Sequence, residues 1–323
     1  MGKILFASNN PTHFGPLAYT DTSYVRDSSR IPYSIRFDAD ISTPLGVIKP
    51  TTTGEVWIHF RADTVNNAPS GDPSGDVIRI YDDQMRLLLK GSTGINTFFT
   101  DFTFYDTNGS TSTQNDVLDY SIGTGAWDIR FVFDPFFMQC QIYQGTVLRF
   151  DRTLNANPNN VGQVGRVDWL TKFHYAGSGF ISELIIADSD TRLARLNMVR
   201  PNGNGFHTDW LGQVSTLADN NINTGLTTNS VNQRHSVTLE PYTNTEIISN
   251  VLITSQHFRG ANSPGTIRHF IRATNIDYDH VDAFTVAFNN TVSQTDYEIN
   301  PATALPWDLA DIGSLEFGFK SEA

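Results

Sequence analysis

The chain has 323 residues, of which 39% are hydrophobic and 17% charged, a composition that folds and is long enough for two domains. Acidic side chains number 34 against 22 basic ones, and the net charge of -12 repels phosphate backbones and anionic lipid surfaces. We therefore expect neither nucleic-acid binding nor membrane insertion. The single cysteine, Cys140, excludes an intramolecular disulfide, and without a signal peptide pattern we expect synthesis in a reducing cytoplasm.

Alternation of apolar and polar residues with period two dominates the first half and predicts short β-strands. In one of them Val56, Ile58 and Phe60 share a face, while Trp57, His59 and Arg61 share the other. The predicted strands of this half cover residues 56–61, 76–82, 127–134, 138–143, 146–150 and 180–187. The last is nearly all apolar, which is typical of a central strand covered on both faces.

Turn residues separate these strands. Gln144-Gly145 predicts a hairpin turn because glycine adopts positive φ, and the polar stretches 66–75 and 106–115 predict exposed loops. Cys140 alternates with Met138 and Ile142 on one strand face, so we interpret it as a buried thiol.

The second half repeats this pattern without repeating the sequence. We expect a long strand over 247–258, a hairpin partner over 266–273, and further strands over 283–288 and 315–319. Residues 308–312, which follow Pro306-Trp307, predict a single helical turn. The cluster of Pro, Asn and Gly at 200–204 predicts a connector between two domains.

The sequence lacks the common catalytic signatures. It contains no P-loop, no Gly-x-Ser-x-Gly elbow and no His-Glu-x-x-His, and Gly203-Asn-Gly205 lacks the third glycine of a dinucleotide loop. Sandwich folds also host glycoside hydrolases, which need two facing carboxylates. On one strand, such carboxylates form the pattern Glu-x-Asp-x-x-Glu, because alternate residues share a face. None of Glu55, Glu183 and Glu240 begins this pattern. From this absence we predict that the chain is not an enzyme and has no catalytic residues.

Three weaker patterns raise the question of a ligand site. Asp188 and Asp190 resemble half of a calcium loop, but two carboxylates do not fill six positions and turn chemistry explains them equally well. Exposed aromatic rings stack on sugars, and the candidates for such a platform are Trp57, Trp169 and Tyr175. His257 and His269 fall opposite each other in the expected hairpin, where we interpret them as surface histidines. We predict no metal and no cofactor.

The segment Phe180-Ile-Ser-Glu-Leu-Ile-Ile-Ala-Asp-Ser-Asp-Thr-Arg192, followed by Arg200-Pro-Asn-Gly203 and Trp210, resembles a recurrent pattern of tailed-bacteriophage virion proteins. Trp127-Asp-Ile-Arg-Phe131 and the ending 300–319 are similar to other motifs of the same proteins. Two positions depart from the pattern, since Leu193 replaces a glycine and Asp308 replaces a threonine.

The resemblance implies a concanavalin/laminin-G-like sandwich followed by a second β-domain. We therefore expect an all-β chain of two jelly-roll-like sandwiches in tandem, covering residues 1–200 and 201–323.

The resemblance also implies a structural protein exposed on a phage particle. We expect a tail-fibre, tail-appendage or receptor-binding component; the alternatives are a capsid decoration protein and a free carbohydrate-binding lectin. The expected partners are other virion proteins, further copies of the chain in a homo-oligomer (a trimer by analogy) and a host-surface glycan. The expected location is the virion.

Overall fold

The computed structural model describes residues 2–22, 28, 30–43, 48, 54–62, 75–93, 99–106, 109–119, 126–155, 163–170, 179–219, 221 and 223–323. It confirms the all-β prediction, because its sheets are antiparallel and form two β-sandwiches. The chain divides into two compact units, residues 2–197 and residues 198–323. Whether 1–200 and 201–323 are separate folding domains stays a prediction.

The first unit contains fourteen strands within the described residues. They are β1 Ile4–Ser8, β2 Ala18–Asp21, β3 Ser34–Phe37, β4 Ile41–Ser42, β5 Glu55–Ala62, β6 Gly75–Asp82, β7 Leu87–Thr93, β8 Phe99–Tyr105, β9 Thr111–Asp119, β10 Ala126–Phe133, β11 Phe137–Gln144, β12 Val147–Asn155, β13 Val164–Trp169 and β14 Gly179–Ala187. A 3-10 turn, Pro11–Phe14, follows β1.

These strands form two sheets. The eight-stranded sheet has the order β12-β11-β10-β5-β14-β3-β2, with β1 also paired to β14, and the six-stranded sheet has the order β4-β13-β6-β7-β8-β9. The predicted hairpin turn is confirmed, since Gly145 adopts a φ of 60° between β11 and β12. The expected loop 106–115 is shorter than predicted because β9 begins at Thr111, and residues 66–74 lie outside the described ones.

Aromatic rings join the two sheets across the core. Phe60 of β5 lies 6.2 Å from Trp169 of β13 between ring centroids, and Phe131 of β10 lies 6.3 Å from Phe104 of β8. Cys140 is fully buried among these apolar side chains, and burial raises the pKa of its thiol well above the ordinary value. The thiol therefore behaves as a small apolar group, as expected.

The second unit contains seven strands and one short α-helix within the described residues. They are β15 Pro201–Thr208, β16 Arg234–Leu239, β17 Val251–His257, β18 Thr266–Ala273, β19 Ile276–Thr285, β20 Thr291–Tyr297, α1 Leu309–Ile312 and β21 Glu316–Glu322. A 3-10 turn covers Val214–Leu217. The five-stranded sheet β15-β16-β21-β18-β19 and the two-stranded sheet β17-β20 enclose an apolar cluster around Tyr297 and Trp307.

The predicted helical turn is confirmed. Asp308 caps α1 by accepting the main-chain N–H of Ala310, and Asp311 bonds back to the Asp308 N–H in a capping box.

Three expectations for this unit are wrong. Strand β18 pairs with β19 and β21, whereas β17 pairs with β20, so 247–258 and 266–273 are not hairpin partners. The expected strand 283–288 is only the end of β19, whose ten residues include four acidic or basic ones that hide the alternation. The Pro-Asn-Gly stretch is an edge strand rather than a free connector, because β15 pairs with β16.

Candidate functional site

The outer face of the eight-stranded sheet, turned away from the six-stranded sheet, carries polar side chains. Alternation along β5 puts Trp57 and His59 on this face while their neighbours fill the core. The antiparallel register then places Asp128 of β10 opposite His59, and Arg130 opposite Trp57. Titratable side chains from separate strands therefore meet on one surface.

A buried charged network lies at the centre of this face. The His59 ring Nδ1 is 2.9 Å from Asp128 Oδ1, and the Thr191 hydroxyl donates to the same carboxylate oxygen at 2.7 Å. His59 Nε2 lies 3.8 Å from Glu183 Oε2. All four side chains are at most 1% exposed, so solvent does not screen these interactions.

Three cationic groups surround the Glu183 carboxylate. Arg195 donates to both of its oxygens, at 2.9 and 2.8 Å, and Arg61 Nε lies 3.2 Å away. Burial alone would lower the pKa of His59, but Asp128 and Glu183 outweigh burial and raise this pKa above its ordinary value. Burial would likewise raise the pKa of Glu183, but His59 and the two arginines lower it. The contacts therefore favour the charged forms of His59 and Glu183.

This network fastens residues 188–197 to the sheet. Thr191 and Arg195 are anchored through Asp128 and Glu183, and between them Arg192 lies with its guanidinium carbon 4.7 Å from the ring centroid of Tyr143. Glu183 and Thr191, two polar residues of the motif 180–192, thus hold this segment in place.

A second set of side chains continues across the same face toward β12, where solvent reaches them. We call it the polar ladder and define it as Glu55, Arg130, Gln141, Gln139 and Asp151. The first four are half-buried and Asp151 is exposed.

Hydrogen bonds connect the members of the polar ladder. Arg130 donates to Glu55 Oε2 at 2.7 Å and to Gln141 Oε1 at 2.8 Å. The amides of Gln141 and Gln139 donate to the two Asp151 oxygens at 3.0 and 2.8 Å. The ladder therefore presents planar amide, guanidinium and carboxylate groups in fixed orientations, as sites that hydrogen-bond polar ligands do.

The suspected calcium residues make other contacts. Asp188 accepts the main-chain N–H of Lys3 at 2.8 Å, and Asp190 binds the guanidinium of Arg192. Within the described part of the chain, no three His, Cys, Asp or Glu side chains are arranged to hold a metal ion. Nor does any helix there have the length and hydropathy needed to cross a bilayer.

The proposed aromatic platform does not form from the residues that the structure describes. Trp169 is fully buried in the core. Trp57 is 3% exposed, because Arg130 and Arg192 lie over its ring with their guanidinium carbons 5.6 and 5.5 Å from the centroid. Tyr175 lies outside the described residues.

His257 and His269, which the sequence predicts to face each other in a hairpin, are not cross-strand neighbours. His269 of β18 is opposite Phe319, and His257 of β17 is opposite Thr291 in the other sheet. His269 is fully buried rather than superficial, and its two ring nitrogens lie 2.7 and 2.8 Å from the Ser255 and Thr295 hydroxyls.

Sequence reasoning missed the buried network, although two signals were present. A charged residue interrupts the apolar run of β14 at Glu183, and His59 alternates with apolar residues that must be buried. Such side chains require partners, but the sequence does not say that Asp128 and Thr191 supply them.

The comparisons with known proteins find similar folds at low identity. No family model matches the sequence, and no curated protein matches it. The alginate lyase Aly36B is 11% identical with a TM-score of 0.31, over 59% of this chain and 98% of that one. A carbohydrate esterase from the Shiga toxin-encoding bacteriophage phi24B is 10% identical with a TM-score of 0.35, over 58% and 100%. A receptor binding domain is 10% identical with a TM-score of 0.33, over 81% and 66%.

These results correct the prediction that the chain is not an enzyme. The similar structures are mostly carbohydrate-active enzymes, among them several alginate lyases, the esterase and a transglycosylase. The prediction rested on a search for carboxylates along single strands. The sheet instead brings Glu55, Asp128, Asp151 and Glu183 onto one face from four different strands.

Proposed function

We propose that this chain is an exterior component of a bacteriophage particle, a tail-fibre or tail-appendage protein that binds a host-surface glycan through the polar ladder. The observation that carries the proposal is the geometry of the ladder. Sugar hydroxyls are recognised by planar polar side chains held in place by their neighbours, and Gln141 is held by Arg130, Tyr143 and Asp151. The sequence motifs supply the assignment to phage particles.

The binding test compares two glutamine variants on a glycan array. Gln141→Ala removes the centre of the ladder, and we expect it to weaken glycan binding about tenfold, the effect of losing one or two hydrogen bonds. Gln84→Ala, at an exposed turn after β6, is the matched control and keeps wild-type binding. If both variants bind glycans equally well, the ladder is not the glycan-binding site.

The particle test uses an antibody against the full chain on purified particles of the phage that encodes it. We expect labelling at the tail. Labelling over the head would favour the decoration protein, and unlabelled particles would favour a free lectin. We also propose that the chain forms a trimer and assembles with other virion proteins. Sedimentation of the purified chain tests this oligomeric state.

A further inference from the structure

The charges along the polar ladder are distributed unevenly. At its half-buried end the guanidinium of Arg130 is paired with Glu55 at 2.7 Å, so the two charges cancel. At its exposed end the carboxylate of Asp151 is bonded to two neutral amides. No cation pairs with this carboxylate among the residues that the structure describes, since the neighbouring Arg152 donates to the main-chain oxygen of Asp151 instead.

The Asp151 carboxylate also retains acceptor capacity. A carboxylate offers about four lone-pair positions, and here each oxygen receives one amide N–H, from Gln139 or Gln141. Each oxygen can therefore accept one more donor. Two such positions, side by side on one planar group, match two adjacent hydroxyls of a pyranose ring, and bonds to a charged acceptor are stronger than neutral ones.

We infer that the polar ladder selects a neutral glycan, whose adjacent hydroxyls donate to Asp151, and disfavours glycans that carry carboxylates. This inference rests on the proposed glycan binding and adds the chemical class of the ligand. The exposed negative charge of Asp151 repels a uronate, and the net charge of -12 adds to the repulsion over longer distances.

The experiment uses the full chain and matched pairs of oligosaccharides that differ at C6. Hexamers of galactose and mannose are compared with hexamers of galacturonate and mannuronate by titration calorimetry at low salt. We expect at least one neutral hexamer to bind ten times more tightly than its uronate. Asp151→Asn should weaken binding of that neutral hexamer about tenfold. It should also reduce the difference in affinity between the neutral hexamer and its uronate.

Asp83→Asn, an exposed aspartate in the turn before β7, makes the same charge change away from the ladder and should behave as wild type. Melting curves check that both variants are folded. If uronates bind more tightly, or if Asp151→Asn binds both classes as wild type does, the inference is wrong while the proposed glycan binding stands. Binding to none of the four hexamers would count against both.

Discussion

Glu183 illustrates how a carboxylate is accommodated inside an apolar strand. Its backbone adopts a φ of 55°, in the left-handed region that non-glycine residues rarely enter, at a register shift between β14 and β5. The local strain is offset by partners, since its N–H donates to Asn9 and its side chain binds Arg195 and Arg61. The residue thus belongs to the buried network and holds residues 188–197 in place.

At the same scale, His257 makes the second unit sensitive to acid. Burial lowers its pKa to about 4, below the value of about 6.5 for an unfolded histidine. The unfolded chain therefore binds more protons between these values. Stability is fully present above pH 6.5 and falls as the pH decreases to about 4, by at most about 3 kcal/mol.

His257→Gln tests this dependence, because glutamine does not titrate and can still bond to Ser293. We expect the variant to lose less stability than wild type between pH 7 and pH 4.5. Hydrogen-exchange protection of β17 and β20 reports on this unit alone. The same loss of protection in both proteins would show that His257 is not the group responsible.

At the scale of elements, the strands with the strongest alternation of apolar and polar residues could be predicted from the sequence. The pairing of those strands in the sheets could not. Residues 127–133 and 180–187 are strands as expected, because their periodicity records which face is buried. Strand β15 was missed since its glycines and asparagines read as a turn, and only pairing with β16 makes it a strand. The candidate site depends on the order of strands in a sheet, which no single segment of sequence encodes.

The attachment of residues 188–197 to the sheet can be tested by a substitution at Thr191. Thr191→Val keeps the shape of the side chain but leaves the buried Asp128 carboxylate without its hydroxyl donor. We expect a loss of about 1–3 kcal/mol in the free energy of unfolding, measured by urea denaturation. Thr153→Val, at an exposed position of β12, is the matched control and should change stability little. If Thr191→Val leaves the free energy of unfolding unchanged, the hydroxyl does not hold residues 188–197 on the sheet.

For the whole molecule, the two-sandwich architecture predicts separable folding. Among the described residues, the strands of 2–197 form two sheets and pair only with one another. We therefore expect a fragment of residues 1–200 to fold alone, with a cooperative melting transition and sharp near-ultraviolet circular dichroism. An aggregating fragment that lacks these signals would mean that the first unit depends on the second.

Strand β1 pairs with β14, so the Lys3 N–H finds its acceptor 185 residues further along the chain. During translation at about 5–20 residues per second, Phe6 waits roughly 10–40 s before the residues that cover it are made. Throughout this interval the nascent polypeptide displays an unpaired apolar edge, which is a binding site for chaperones and a hazard for aggregation on crowded ribosomes. Yield in the host should therefore depend on the speed of elongation and on chaperone supply as well as on the stability of the finished protein.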